Sequence, residues 1–231
     1  MILFQDVSFA YDQGGKVLDS ANLGLEPGLT LLLGPNGCGK STLLKLAAGV
    51  ERPDAGRISI AGRDIWREEV EARRGLVYLP EQPDLTPYAT IGEILDLVCR
   101  LRGEAPAAKE KVLTFFGLQD LAGRTVRELS MGQRRRAVFA ACLVGSASYL
   151  LLDEPLEGMD LNIQREILAW IEGRARNGAT VVVVSHTLAP FLRFATRAVT
   201  VKEGQTVYLR ELPADQDERQ ALLEDLAKGR P

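Results

Sequence analysis

Short apolar runs recur along the chain, each bounded by turn-forming residues. Four of them carry no charged side chain: Thr30–Leu33, Leu76–Leu79, Tyr149–Leu152 and Val181–Val184. Strands that are apolar at nearly every position are typical of a parallel sheet with both faces covered. The spacing of these runs therefore predicts an α/β fold.

Helical patterns separate the apolar runs. Lys40–Ala48 ends at Gly49, and Ile163–Arg176 ends at Asn177 and Gly178, which are residues that accept the left-handed conformation after a helix. Between about residues 89 and 143 the apolar spacing is helical throughout. We therefore expect one domain over residues 1–231, with a small helical subdomain inserted at about residues 89–143.

The C-terminal part of the sequence has two further patterns. Ala198–Val201 and Thr206–Leu209 flank the turn residues Glu203 and Gly204, so we expect two antiparallel strands. Asp215–Lys228 has the spacing of an amphipathic helix that packs on the domain surface.

Composition excludes several classes of protein. The 231 residues are 46% hydrophobic and 26% charged, which is ordinary for a folded globular chain and unlike disordered or coiled-coil sequences. The net charge of -3 gives no general attraction to nucleic acid or anionic lipid. Arg134, Arg135 and Arg136 form a charge run that is typical of a solvated helix face, so no nucleic-acid partner is expected.

Cysteine usage and the lengths of the uncharged stretches bear on location. The three cysteines are odd in number and scattered, and no secretory leader precedes the first apolar segment, so we expect a reducing cytosol. The longest uncharged stretches, residues 137–152 and 177–192, are shorter than the roughly 18 to 20 residues that a spanning helix requires. We therefore expect no membrane crossing by this chain.

A glycine-rich segment between an apolar run and a helical pattern matches the phosphate-loop pattern G-x-x-x-x-G-K-[ST]. It comprises Gly34, Pro35, Asn36, Gly37, Cys38, Gly39, Lys40 and Ser41, and Thr42 follows it. Gly37 and Gly39 allow the backbone to curl so that its N–H groups point at phosphates. We expect Lys40 to reach the β and γ phosphates and Ser41 to ligate Mg²⁺. The loop amides should favour the thiolate of Cys38. The plainer interpretation of Cys38 is a small residue at a permissive position of the loop.

Two carboxylates follow the apolar run Tyr149–Leu152. Pro155 stops the strand there, leaving Asp153 and Glu154 at the sheet edge where open α/β sheets bind ligands. Asp153 is placed to hold Mg²⁺ through water, and Glu154 to orient or deprotonate a water that attacks the γ-phosphate. The plainer interpretation is an acidic start to an exposed turn.

A third motif narrows the class of phosphate-binding protein. Leu129–Gln133 reads LSMGQ and resembles the LSGGQ signature of the ATP-binding cassette ATPases, the nucleotide-binding subunits of ABC transporters, with Met131 at the third position. Kinases and small GTPases lack this signature. The resemblance extends from Tyr11 to His186, and it implies a RecA-like core with an N-terminal antiparallel β subdomain and an inserted α-helical subdomain.

The resemblance also implies roles for single residues. Tyr11 matches the aromatic that stacks on adenine, Asp160 the fixed residue of the Asp-loop, and His186 the histidine that senses the γ-phosphate. The family has a glutamine at the loop before the helical subdomain. Here Glu81 and Gln82 both stand at that point, and either could contact Mg²⁺ or the attacking water.

The resemblance implies partners as well. Ser130, Gly132 and Gln133 would face the phosphate loop of a second copy or a homologous cassette, so that two ATP molecules are sandwiched with Mg²⁺. Separate transmembrane permease subunits would complete the transporter, with this chain peripheral on the cytoplasmic face. A soluble cassette ATPase or an assembly factor is the alternative. Such relatives usually carry two cassettes or long coiled coils, whereas this chain has one set of motifs.

Overall fold

The computed structural model describes residues 1–12, 15–82, 85–202 and 206–229, and side chains for all of these except 202 and 206–210. Within these ranges the chain forms ten strands and seven α-helices. The strands are β1 Ile2–Ala10, β2 Lys16–Leu25, β3 Gly28–Leu33, β4 Ala55–Ile60, β5 Arg63–Asp64, β6 Leu76–Leu79, β7 Tyr149–Asp153, β8 Thr180–Val184, β9 Ala195–Lys202 and β10 Thr206–Glu211. The helices are α1 Lys40–Ala48, α2 Glu69–Arg73, α3 Ile91–Arg102, α4 Ala107–Phe115, α5 Met131–Leu143, α6 Leu161–Arg176 and α7 Gln216–Ala227.

A six-stranded sheet in the order β10-β9-β3-β8-β7-β6 forms the centre of the fold. Its neighbours pair in parallel except for β10, which is antiparallel to β9. All five residues of β8 are buried, because layers of structure cover both faces of the sheet. The four apolar runs therefore form strands, as their composition predicts.

Two hydrophobic layers lie on opposite faces of this sheet. On one face, Leu32 and Val182 pack with Leu43 of α1 and with a second, antiparallel sheet in the order β2-β1-β4-β5. On the other face, Leu31 and Val183 pack against the helices that follow β6. Alternate residues of one strand thus enter different cores, which is the consequence of the two-residue period of a strand.

The segment between β6 and β7 is helical, as its spacing predicts. It contains α3, α4, α5 and two short 3₁₀ turns, and its β-type pairing in the described residues is one isolated bridge between Thr90 and Thr125. Phe116 and Phe139 are fully buried with ring centroids 6.3 Å apart, so they join α5 to the segment after α4. Thr90 begins α3 by accepting a hydrogen bond from the backbone N–H of Glu93.

The remaining sequence predictions differ from the structure mainly at element ends. Helix α6 begins two residues before Ile163, because the carboxylate of Asp160 accepts the N–H groups of Asn162 and Ile163 at 3.1 Å. The antiparallel pairing of β9 with β10 is confirmed, whereas the predicted turn at Glu203 and Gly204 lies outside the described residues. The C-terminal helix is confirmed as α7.

Replacing Phe139 tests how strongly the helical segment depends on its aromatic core. Phe139→Ala should lower the free energy of unfolding by about 3–5 kcal/mol, because it removes a fully buried ring and leaves a cavity. The control Leu101→Ala, at a side chain that is 77% exposed, should change it by about 0.5 kcal/mol or less. Urea unfolding followed by circular dichroism measures both. Equal losses in the two variants would contradict this packing.

Candidate nucleotide site

Four parallel strands end at one edge of the central sheet, and a predicted site residue lies at or just beyond the end of each. The glycine-rich loop follows β3, Asp153 ends β7, His186 lies just beyond β8, and Glu81 just beyond β6. Because carboxyl ends of parallel strands meet at one edge, these residues surround a common cavity. Its volume is about 460 Å³.

The glycine-rich loop has the backbone shape that an anion site requires. Gly34, Gly37 and Gly39 have φ values of 139°, 78° and 107°, in the region that favours glycine. No side chain caps the N-terminus of α1 at Gly39, so the first N–H groups of the helix are left for a ligand. A negatively charged group placed there meets both these donors and the positive end of the helix dipole.

The loop also holds its own cation. The ammonium group of Lys40 donates hydrogen bonds to the carbonyl oxygens of Gly34 and Pro35, at 2.8 and 2.9 Å. These bonds fold the side chain back over the loop. The positive charge therefore lies beside the free N–H groups of α1, where a phosphate would be neutralised.

Two acidic side chains are buried at the end of β7. Asp153 is 2% exposed and Glu154 is 8% exposed. Burial raises the pKa of Asp153, against the effect of a hydrogen bond from Ser41, and burial likewise raises the pKa of Glu154, against the effect of His186. Both carboxylates therefore pay a desolvation cost that a nearby cation would offset.

The carboxylate of Glu154 is held by the residues that follow β8. Its Oε1 accepts the backbone N–H of His186 at 2.8 Å, and its Oε2 accepts the hydroxyl of Ser185 at 3.2 Å. The exposed ring of His186 places its Nε2 atom 3.7 Å from the same Oε1, a contact that is an ion pair only when the ring is protonated. The histidine ring therefore lies at the mouth of the cavity.

An aromatic side chain lines the rim. Tyr11 is 40% exposed, packs edge-on against Phe9 with centroids 4.9 Å apart, and places its hydroxyl 3.3 Å from the hydroxyl of Thr42. One ring face is therefore available to a flat ligand beside the phosphate loop.

The structure divides the predicted residues into three groups: those that line the cavity, other residues of the glycine-rich loop, and those outside the cavity. The cavity is lined by Tyr11, Asn36, Gly37, Gly39, Lys40, Ser41, Thr42, Glu81, Asp153, Glu154 and His186. Gly34, Pro35 and Cys38 belong to the same loop. The cavity lining does not include Gln82, Ser130, Gly132, Gln133 or Asp160. Of the two candidates at the loop after β6, Glu81 lines this cavity, whereas both Glu81 and Gln82 line a neighbouring hollow beside Met131.

The signature residues form the start of α5. The hydroxyl of Ser130 accepts the N–H of Gln133 at 3.3 Å, and the side chain of Gln133 accepts the N–H of Ser130 at 3.0 Å. This reciprocal cap fixes the first turn. Met131 is 80% exposed, so the motif presents an apolar side chain to the outside of the chain.

Two sequence expectations are wrong. The thiol of Cys38 is not shifted toward thiolate: burial raises its pKa more than the charge of Lys40 lowers it. The charge run is not a uniformly solvated face either. The guanidinium of Arg135 is half-buried and donates to the carbonyl oxygens of Glu81 and Glu154, at 2.8 and 2.7 Å.

Three residues near the site have no signal in the sequence that would single them out. Val17 packs so closely on Gly39 that a Cβ there would lie 2.8 Å from its methyl carbon. Ser185 and Arg135 bind the side chain and the backbone of Glu154, respectively. The contacts of Val17 and Arg135 depend on strands and helices that are distant in sequence, so no local pattern indicates them.

Comparisons with known proteins identify the family of the chain. Residues 18–157 match the sequence profile of the ABC transporter family. The chain is 34% identical over 218 residues to the taurine import ATP-binding protein of Pseudomonas aeruginosa, covering 90% of this chain and 81% of the relative. It is 34% identical over 209 residues to the Nod factor export ATP-binding protein I of Burkholderia thailandensis, covering 88% and 68%.

Solved structures show the same fold. The ATP-binding subunit of an ABC transporter matches with a TM-score of 0.85 and 24% identity, over 97% of this chain and 99% of that chain. A bacterial ABC transporter cassette solved as a dimer matches with a TM-score of 0.80 and 24% identity, over 93% and 100%. The expected α/β fold with a RecA-like core is confirmed.

The chain therefore belongs to the ABC transporter family. It is an ATPase, an ATP-binding and ATP-hydrolysing subunit of the kind that this family uses. In the part of the chain that the structure describes, no helix is both long enough and apolar enough to cross a membrane.

Chemical labelling of Cys38 tests whether ATP occupies this cavity. At pH 8.5, Mg-ATP at about ten times its Kd should slow alkylation of Cys38 about tenfold, because only the fraction of the protein without bound ATP reacts. Mass spectrometry of the Cys38 peptide gives the rate. AMP, which lacks the β and γ phosphates, is the control and should protect much less. Equal rates with and without Mg-ATP would contradict the placement.

Proposed function

We propose that two copies of this chain, or this chain and a homologous cassette, bind two ATP molecules between them and separate when the ATP is hydrolysed. One observation carries the proposal. Ser130 and Gly132, at the start of α5, do not line the chain's own nucleotide cavity. The side-chain cap uses the N–H of Gln133, whereas the N–H groups of Met131 and Gly132 lie earlier in the first turn, where a helix has no backbone acceptor for them. Since Met131 is exposed, this helix start is suited to bind phosphate from outside the chain.

Within one subunit, we assign ATP to the cavity at the sheet edge. The amides of Gly37 and Gly39 and the ammonium of Lys40 would bind the β and γ phosphates, and Thr42 lies beside them. Tyr11 would stack on adenine, since its ring lies on the cavity rim.

The donors at the bottom of this cavity fit Mg²⁺. Ser41 and Asp153 supply hard oxygen ligands, and Glu81 adds a carboxylate to the lining. Mg²⁺ is usually bound by one or two protein oxygens together with waters and phosphates, so this set is sufficient. When bound, the ion would neutralise phosphate charge, and it would offset the desolvation of Asp153.

Glu154 is placed to act on water. Its carboxylate is fixed by Ser185 and by the backbone N–H of His186, and it faces the cavity beside Asp153. A carboxylate whose pKa is raised by burial is a better proton acceptor than an ordinary one. We therefore assign Glu154 to orienting or deprotonating the attacking water, and His186 to contacting the γ-phosphate.

Ser130, Gly132 and Gln133 of one subunit would close over the phosphates held by Lys40 of the other. A symmetric dimer places each signature against the opposite loop, so two identical sites are completed at once. Asp160, exposed at the start of α6, belongs to the same surface in this proposal. Hydrolysis removes the γ-phosphate, whose contacts with the second subunit exist only in the closed dimer, so separation of the two subunits becomes favourable.

The partner in the membrane would be a separate permease subunit. Strand β6 is the edge strand of the central sheet, and a groove of about 290 Å³ runs between it and α3 and α5, lined by Leu79, Leu85 and Val98. We propose that the helical subdomain spans about residues 89–143 and that a short helix of the permease docks in this groove. The chain would then lie peripherally on the cytoplasmic face.

The substitution Glu154→Gln tests the hydrolytic assignment. It should lower ATP turnover about 100-fold or more while leaving ATP binding intact, because the amide keeps the shape of the side chain but cannot accept the proton. The same variant should form a dimer that persists in Mg-ATP, measured by light scattering. Glu166→Gln, an equal change at an exposed position of α6, is the control and should hydrolyse ATP normally. Normal turnover by the Glu154 variant would remove Glu154 from this role.

Mixing two inactive variants tests the shared site. Lys40→Ala and Ser130→Arg each disable both sites of a homodimer, whereas a mixed dimer holds both defects in one site and leaves the other intact. With random pairing and independent sites, ATPase activity should recover to about a quarter of the normal rate. A mixture that forms mixed dimers yet hydrolyses no more ATP than either variant alone would contradict a site built from two subunits.

A further inference from the structure

One side chain connects the signature helix to both loops that flank the nucleotide cavity. Arg135 lies in the second turn of α5. Its Nη1 atom donates to the carbonyl oxygen of Glu81 at 2.8 Å, and its Nη2 atom donates to the carbonyl oxygen of Glu154 at 2.7 Å. Residue 135 is thus bound to segments 54 and 19 residues away in sequence.

The backbone at Glu154 is in a conformation that needs such support. Its φ is 47°, in the left-handed region that a residue with a side chain rarely adopts. The N–H of Glu154 donates to the carbonyl oxygen of Val184 at 2.9 Å, and the carboxylate accepts from Ser185 and His186. The remaining polar group, the carbonyl oxygen, accepts from Arg135 at 2.7 Å and from the backbone N–H of Glu157 at 3.3 Å. A strained residue persists only when its surroundings fix it in this way.

Arginine is suited to this bridge. Its planar guanidinium presents two N–H groups to two acceptors at once and stays protonated at neutral pH. A lysine carries the same charge but presents one ammonium group, which cannot reproduce the planar fork. Both acceptors are uncharged carbonyl groups, so the two hydrogen bonds fix the relative position of two loops. The charge of the guanidinium also acts on the nearby carboxylates of Glu157, Glu154 and Glu81, and Arg135→Lys keeps that charge while it loses the planar fork.

We propose that Arg135 is a positioning residue, which ties the signature helix to Glu81 and Glu154 and so sets the direction of the Glu154 carboxylate. This inference rests on the role of Glu154 proposed above. Because the signature lies one turn before Arg135 on the same helix, a partner that engages Ser130 moves the anchor of the hydrolytic carboxylate as well. Contact across the dimer would thereby align Glu154 when ATP is enclosed.

Kinetics of Arg135→Met test the proposal. We expect kcat to fall about ten- to hundred-fold, because a misdirected carboxylate loses reaction geometry. The KM for ATP should stay within about twofold, since Arg135 does not line the nucleotide cavity. Arg135→Lys should recover part of the lost kcat. The control is Arg100→Met at the exposed end of α3, which removes an equal charge and should have normal kcat.

A double variant identifies the residue through which Arg135 acts. Arg135→Met should add no further loss in single-turnover hydrolysis when Glu154 is already Gln, because the group that it positions has been removed. A normal kcat in Arg135→Met would overturn the proposal. So would a double variant whose single-turnover rate is lower than that of Glu154→Gln by the full factor that Arg135→Met causes alone. If Arg135→Met does not fold, the kcat and KM of Arg135→Lys provide the test instead. A reduced kcat at unchanged KM supports the proposal, and a normal kcat overturns it.

The same set of variants separates the two proposals. If Glu154→Gln hydrolyses ATP normally, the proposed role of Glu154 fails and this inference fails with it. If Glu154→Gln is inactive while Arg135→Met is normal, only the positioning role of Arg135 is wrong.

Discussion

The parallel pairing of β3, β8, β7 and β6 is the constraint on which the site depends. Pairs such as Leu31 with Val183, and Leu152 with both Val183 and Leu79, fix the register of the four strands. That register brings the phosphate loop, the buried carboxylates and the exposed histidine to one edge. Residues that are more than a hundred positions apart in sequence therefore share one cavity, and a slip in the register would separate them.

The two carboxylates buried at this edge require a nearby positive charge, which a cation bound with ATP can supply. Asp153 and Glu154 are almost inaccessible, and burial raises the pKa of each. The ammonium of Lys40 lies over the phosphate loop, and the first N–H groups of α1 have no cap. These two groups require an anion. A phosphate bound together with a cation would satisfy both requirements, so the charges around the cavity suit such a ligand.

Much of the fold followed from local pattern. The uncharged apolar runs became the central strands because both faces of that sheet are covered, and the glycine after Lys40–Ala48 ended the helix as expected. Helix starts were predicted less exactly, since the start of α6 depends on the cap by Asp160 rather than on apolar spacing. The residues of the phosphate loop could be predicted because the groups that bind phosphate come from neighbouring positions at a fixed spacing.

By itself, the sequence determined the class of fold, and it predicted the phosphate loop, the acidic strand end and the signature, because those patterns depend on neighbouring residues. The tertiary structure decided the properties that depend on contacts between residues far apart in sequence. It placed Glu81 in the cavity, and it raised the pKa of Cys38 by burial instead of lowering it. It also turned Arg135 from one member of a charge run into a bridge between two loops. Burial and contacts between remote segments exist only once the strands have paired, so no local pattern contains them.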